Sequence, residues 1–324
     1  MDLEALAQQL IRALRGRRSQ VAFSRRLGFK TNVAYAWESG RRWPTAALTL
    51  RAAARSRIDV PAALARFFPS APAWLRDVDV ASRPGVARVL SELRAQVPIV
   101  DIARRAGRSR YAVARWLSGA AEPRLPDFLR LIDACSLRLL DFVALFADPT
   151  LLPEARDPWK MLQAHRRAAY EMPWIPAVLH ALELREYAEL PAHVPGWIAS
   201  RIGIGAAEEA ECLEVLEQSG QIRRRGKRLV SGTAIAVDTR QDPAAERRLK
   251  SWWAKVGMDR LAAGSPGQFS FNVFTVSEED LERLRELHRS YFRTMRSIIA
   301  SSTPSERIVV ANIQLFPLDS ESGS

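Results

Sequence analysis

The sequence predicts a mainly α-helical protein with a small α+β module at its C-terminal end. The strongest sign is a repeat. Two stretches align at a fixed offset of 79 residues, Gly28 with Gly107, Trp37 with Trp116, Ser39-Gly40 with Ser118-Gly119 and Pro44 with Pro123. Apolar positions keep the same offset in the pairs Leu14/Leu93, Val21/Val100, Phe23/Ile102 and Leu50/Leu129, and recur at helical spacing. The C-terminal half departs from this pattern, with a basic hairpin about Gly226 and two short runs that read as strands.

In the first copy, apolar residues at 3, 6, 10, 11 and 14 predict a helix over Leu3–Leu14. Gly16-Arg17-Arg18 ends it, and Ser19 caps a short helix Gln20–Leu27. Gly28 allows a sharp left-handed turn, because it carries no Cβ. A third helix over Asn32–Ser39 stops at Gly40, a fourth opens at Thr45 and Val60–Phe68 forms a fifth. Prolines at 69, 72 and 84 mark a linker with one helical turn near Trp74. The second copy then predicts Val86–Ala95, Ile99–Ala106, Arg110–Leu117, Leu125–Cys135 and Leu139–Phe146. Pro149, Pro153 and Pro158 read as a domain junction.

Beyond that junction, helices are predicted over Trp174–Arg185, Gly196–Ile202 and Ala206–Ser219. The hairpin Gln221–Arg225/Lys227–Ser231 follows, a winged-helix pattern. Asp242–Ala263 is helical, and the chain ends as strand Phe269–Val276, helix Glu279–Ser301 and strand Ile308–Phe316. Ser277 and Asp280 signal the start of that helix. The expected domains are 1–68, a linker 69–83, 84–153, a helical winged-helix-like domain 154–240 and an α+β module 241–324.

Composition bounds the function. At 324 residues, with 48% hydrophobic and 26% charged residues, the chain has the makeup of an ordinary globular protein with room for two or three domains. The most apolar stretch, Leu137–Phe146, is interrupted by Arg138 and Asp141, and the start Met1-Asp2-Leu3-Glu4 does not resemble a signal peptide. A cytoplasmic location without a membrane partner is expected. Cys135 and Cys212 form no disulfide or metal pattern. The four histidines lack ligand spacing, and no catalytic set stands out, so no enzyme activity, metal or cofactor is predicted.

Charge is unevenly distributed. Residues 1–68 carry 13 Lys/Arg against 4 Asp/Glu, a net of +9, and residues 69–153 carry 12 against 9. Residues 154–324 balance at 23 against 23. All the excess positive charge therefore sits on the repeat, which is the footprint of polyanion binding.

A repeated helix–glycine turn–helix with a bulky residue behind the second helix suits reading of the major groove, which admits one helix. The side chains placed to meet bases are Lys30, Thr31, Asn32 and Tyr35 in the first copy, and Ser109, Arg110, Tyr111 and Arg115 in the second. Arg17, Arg18, Gln20, Arg41, Arg42 and Arg108 flank them as phosphate contacts. Trp37 and Trp116 are expected in the core.

Over Leu3–Phe68, the residues Ser19-Gln20, Ser24, Leu27-Gly28, Trp37-Glu38, Gly40 and Pro44 resemble the Cro/C1-type repressor DNA-binding family. Val86–Phe146 resembles it less closely, with Trp116-Leu117 in place of Trp37-Glu38 and Arg108 where an apolar residue usually packs. The resemblance implies tandem five-helix helix-turn-helix domains. The C-terminal half resembles a family of uncharacterised bacterial proteins that end in a strand like Ile313-Gln314-Leu315-Phe316-Pro317-Leu318, which implies a regulator-like architecture. The expected function is a double-stranded DNA-binding transcription regulator. It would dimerise through the apolar stripe Leu281, Leu284, Leu287, Tyr291 and Met295, or sense an unknown effector. The alternative is an assembly factor that uses the repeats to bind another protein. The hairpin arginines Arg223, Arg224, Arg225 and Arg228, with Lys227, either grip DNA or balance the glutamates before them.

Overall fold

The computed structural model describes residues 1–68, 71–94, 97–232 and 242–319. The expected 240/241 boundary lies outside the described residues. Five helices form the first copy: α1 (Leu3–Arg15), α2 (Gln20–Arg26), α3 (Val33–Glu38), α4 (Ala46–Arg55) and α5 (Val60–Phe67). Each opens at a side-chain cap, from Asp2, Ser19, Asn32, Thr45 and Asp59, which accepts hydrogen bonds from N–H groups left unpaired in the first turn. After a 3-10 turn at Ala73–Arg76, the second copy repeats the order with α6 (Arg83–Arg94), α7 (Ile99–Ala106), α8 (Arg110–Leu117), α9 (Leu125–Ser136) and α10 (Leu139–Ala144).

The duplication extends to the turns. Gly28 and Gly107 both have positive φ, 89° and 60°. After each, the next amide reaches back into the preceding helix, Phe29 N to Ser24 O at 3.0 Å and Arg108 N to Ala103 O at 2.9 Å. Any side chain at either glycine would strain the backbone.

The chain divides into two compact units, Met1–Leu162 and Gln163–Ser324. Both copies fall in the first, and their cores merge. The Phe142 ring lies edge-on to Phe67 of the first copy at 5.5 Å, and to Phe128 and Phe146 of its own at 5.5 and 5.1 Å. The segment expected to be a linker carries buried Leu75 and Val80, and its Trp74 indole donates to Glu92. Gly85, in the first turn of α6, crosses so close to residues 79–80 that a Cβ would stand 2.1 Å from the Asp79 carbonyl oxygen. Alanine normally stabilises a helix relative to glycine, by about 1 kcal/mol. Gly85→Ala is expected instead to destabilise unit 1 by about 3 kcal/mol, because backbone must move. A denaturation midpoint that is unchanged or raised would contradict this close approach.

The unit boundary falls inside α11 (Pro153–Glu171), where the prolines had predicted a break. Pro153 is the first helical residue, where a missing N–H costs nothing, and Pro158 is accommodated within the helix.

Unit 2 continues with α12 (Ile175–Ala181), α13 (Arg185–Ala188), α14 (Trp197–Ile202) and α15 (Ala206–Gln218). Strands β1 (Ile222–Arg225) and β2 (Arg228–Ser231) pair antiparallel, with Ile222 opposite Ser231 and Arg225 opposite Arg228. Val178, Ala181, Tyr187, Ile198, Leu216, Ile222 and Leu229 share one core. Helices α16 (Pro243–Ala262) and α17 (Glu278–Ser301) follow, and Ser277 caps α17 as expected.

The strand–helix–strand end is corrected. Neither Phe269–Val276 nor Ile308–Phe316 is a strand, and β1 and β2 form the one sheet among the described residues. A lone strand does not persist without a partner to take up its N–H and C=O groups. Phe271 is 94% exposed and Leu318 77%.

His165, buried on α11, places Nε2 3.1 Å from the Ser219 carbonyl oxygen. Burial holds its imidazole below the ordinary histidine value, and burial does the same to His193. The unfolded chain therefore takes up these protons at a higher pH than the folded one. Their contribution to stability is present above about pH 6.5 and is lost as the pH falls below it. His180 acts in the opposite sense, because its hydrogen bond to Glu183 holds its imidazole above the ordinary value, so the test is made by variant. The drop in unfolding midpoint from pH 7.5 to pH 5 is expected to be smaller in His165→Asn than in the unaltered chain, and an identical drop in both would refute the assignment.

Candidate nucleic-acid interface

In the first copy, α3 is fixed from behind. Ala34 and Trp37 are buried, and Phe29, just after the turn, meets the Trp37 ring edge-on at 5.7 Å. Ser24 stitches the two helices, donating from Oγ to Gln20 O at 2.8 Å and accepting from Ala34 N at 3.1 Å. Glu38 is buried at the far end of α3. Its carboxylate takes Arg15 Nε at 2.6 Å and Gln20 Nε2 at 2.8 Å, while Arg12 donates to its carbonyl. Nothing local in the sequence marks this Glu38 cluster, although Trp37-Glu38 is among the residues that carry the family resemblance.

With its rear locked, the copy presents Lys30, Thr31, Asn32 and Tyr35, all exposed. Asn32 Oδ1 already accepts from Tyr35 N at 3.3 Å as the helix cap, so bidentate pairing with adenine competes with the cap. The Arg41 guanidinium lies over the Tyr35 ring, 5.3 Å from its centroid.

The second copy differs in register. α8 starts at Arg110, which matches Thr31, so Arg110 and Tyr111 lie in its first helical turn, whereas Thr31 and Asn32 precede α3. Ser109 caps α8, accepting from Ala112 N at 3.2 Å. Ser109, Arg110, Tyr111 and Arg115 are exposed. Arg115 stands over the Tyr111 ring at 5.6 Å, which places both on one face of the helix.

Trp116 departs from expectation. It is only half-buried, and Val113 and Leu117 hold the rear of α8 instead. Arg108 explains this. It occupies the position of Phe29, and its guanidinium turns to Asp127 at 2.7 Å, so this position supplies no ring to cover the tryptophan.

The phosphate candidates divide into two groups. Arg17, Arg41 and Arg42 are exposed. Gln20 and Arg18 are half-buried and turned inward, Gln20 to Glu38 and Arg18 to the Arg15 carbonyl at 3.2 Å. Arg108 is offset by Asp127. Exposed cations outside the predicted set include Arg25 on α2 and Arg104 and Arg105 on α7.

The C-terminal half offers a different surface. Glu208, Glu211, Glu214 and Glu217 are exposed along α15. Glu209, on α15, is buried against the start of α14, where its carboxylate accepts from Gly196 N at 3.1 Å and Ala199 N at 2.5 Å. In the hairpin Arg223, Arg224 and Arg225 are exposed, and Arg224 pairs with Glu217 at 3.0 Å.

Residues 154–318 match the family described as a domain of unknown function, DUF4423. The chain belongs to the DUF4423 family. No curated protein and no solved structure matches it. The DUF4423 region contains the hairpin cations Arg223, Arg224, Arg225, Lys227 and Arg228, whereas the candidate base- and phosphate-contacting residues of the repeat all lie in unit 1. Its Cys212 thiol is pushed up to about 11 by burial, and that of Cys135, in unit 1, up to about 12, so both stay protonated at neutral pH. Among the described residues of the DUF4423 region and of unit 1, no three His, Cys, Asp or Glu side chains gather as a metal site, and no helix is long and apolar enough to cross a membrane.

Proposed function

We propose that this DUF4423 protein is a sequence-specific double-stranded DNA-binding regulator of transcription that acts in the bacterial cytoplasm. Unit 1 supplies tandem helix-turn-helix readers of Cro/C1 type. The observation that carries this reading is α8, a capped helix locked by Val113 and Leu117 that exposes Arg110, Tyr111 and Arg115 on the strongly basic half of the chain. Arginine recognises guanine through O6 and N7, and the flanking Arg17, Arg41 and Arg42 suit phosphates.

The DUF4423 region is assigned to assembly or signal sensing. α12, α14, α15 and the hairpin follow the order of a winged helix, in which α15 would be the groove helix. Its row of exposed glutamates repels phosphate, so the region serves a contact other than the major groove. Exposed Leu287, Tyr291, Ile298 and Ile299 on α17 support self-association through this half.

Selection of bound duplexes from a random pool by the full chain tests the reading. Enrichment of one bipartite motif supports it. Recovery of unenriched sequence contradicts base readout and favours the protein-binding alternative.

A further inference from the structure

Unit 1 contains contacts between the two copies that pair equivalent residues with each other. Thr45 and Arg124, which match at the 79-residue offset, form an antiparallel bridge. Its two hydrogen bonds are reciprocal, Ala46 N to Pro123 O at 3.0 Å and Leu125 N to Pro44 O at 2.9 Å, and each joins a residue to the counterpart of the one two positions before it.

The same exchange recurs away from the bridge. α1 packs on α9 while α4 packs on α6, which is one contact made twice with the copies exchanged. Arg130 approaches Glu4 at the start of α1 at 3.7 Å, and its counterpart Arg51 donates to Ala81 O just before α6 at 3.3 Å. The equivalent helices α5 and α10 meet through Phe67 and Phe142.

Residue i touching j′ while j touches i′ is the mark of a two-fold interface. Copies related by translation, like beads in a solenoid, would set one face against a different face and could not pair Thr45 with its own equivalent.

We infer that the repeat is an internal two-fold dimer. A single chain therefore occupies a duplex site whose two halves are inverted in orientation and unequal in sequence. This inference rests on the DNA-binding reading and adds the arrangement of its target. Two-fold symmetry gives α3 and α8 the same height along the dyad and opposite directions. The duplex backbone has local dyads of its own, so both helices meet equivalent phosphates. The bases need not match, because Lys30, Thr31, Asn32 and Tyr35 face one half and Ser109, Arg110, Tyr111 and Arg115 the other. A symmetric frame reads an asymmetric message.

Two arms test this with the full chain. In the first, Ser109→Lys, Arg110→Thr, Tyr111→Asn, Ala114→Tyr and Arg115→Ala give the second copy the outward residues of the first, and bound duplexes are selected again. The selected site is expected to become an inverted repeat. A direct repeat or a single half-site would overturn the inference. The second arm needs no altered protein and decides the matter should the variant misfold. Phosphates whose ethylation blocks binding are mapped on both strands of the site selected by the unaltered chain. The pattern on one strand of one half is expected to recur on the opposite strand of the other half, related by the dyad. The same pattern repeated along one strand means that the copies are related by translation, and it overturns the two-fold arrangement while leaving DNA binding intact. If the unaltered chain selects no sequence, the DNA-binding reading itself fails, and the arrangement falls with it.

Discussion

Arg110→Ala and Arg115→Ala each weaken binding to the selected duplex by about 1–3 kcal/mol, roughly 5- to 150-fold, and relax base preference in one half-site only. Both guanidinium groups are exposed on α8, and neither contributes to the buried face formed by Val113 and Leu117. Folding is therefore unaffected, and the circular dichroism melt stays that of the unaltered chain. The Arg115 loss is the larger of the two, because Arg115 lies over Tyr111 and its removal also frees that ring. Arg42→Ala is the control. Removing this exposed cation beside α3 weakens binding to all sequences alike and lowers the salt dependence by about one phosphate contact. If both α8 variants select the same motif as the unaltered chain, the second copy does not read bases.

Phe142→Ala has the largest expected effect on stability, about 3–5 kcal/mol. The ring is 1% exposed and meets Phe67, Phe128 and Phe146 within 5.5 Å. Removing it opens a cavity where the two copies join, next to Arg138, whose guanidinium lies over Phe67 and donates to its carbonyl. Unit 1 then unfolds at lower denaturant, and DNA affinity falls although no contacting residue has changed. A loss below about 1 kcal/mol would mean that the copies do not depend on one another.

Much of unit 1 was legible because its signals are local. Gly28 and Gly107 allow the turns without steric penalty, Ser19 caps α2, and the apolar spacing marks the rear faces, whereas Asn32 and Ser109, expected as base contacts, also cap α3 and α8. What escaped depends on distant partners. Whether Trp116 is covered turns on where Arg108 points, which is set by Asp127 on the following helix. Apolar spacing identifies a buried face but not which copy covers it, so the two-fold contact of α1 with α9 could not be read in advance. The runs at 269–276 and 308–316 have strand-like composition, yet strand formation follows from a pairing partner and not from composition alone. α11 was missed because Pro153 was read as a break, whereas a first-turn proline also starts helices. The buried role of Glu38 follows from Arg15, 23 positions earlier on a different helix.

Titration of the full chain with labelled duplex at rising salt tests the central claim most directly. Binding driven by exposed arginines releases counterions from the phosphates, so log affinity is expected to fall linearly with log salt. A slope of about −4 to −6 corresponds to some five to seven phosphate contacts. A flat response, or no binding even in dilute buffer, would contradict the account.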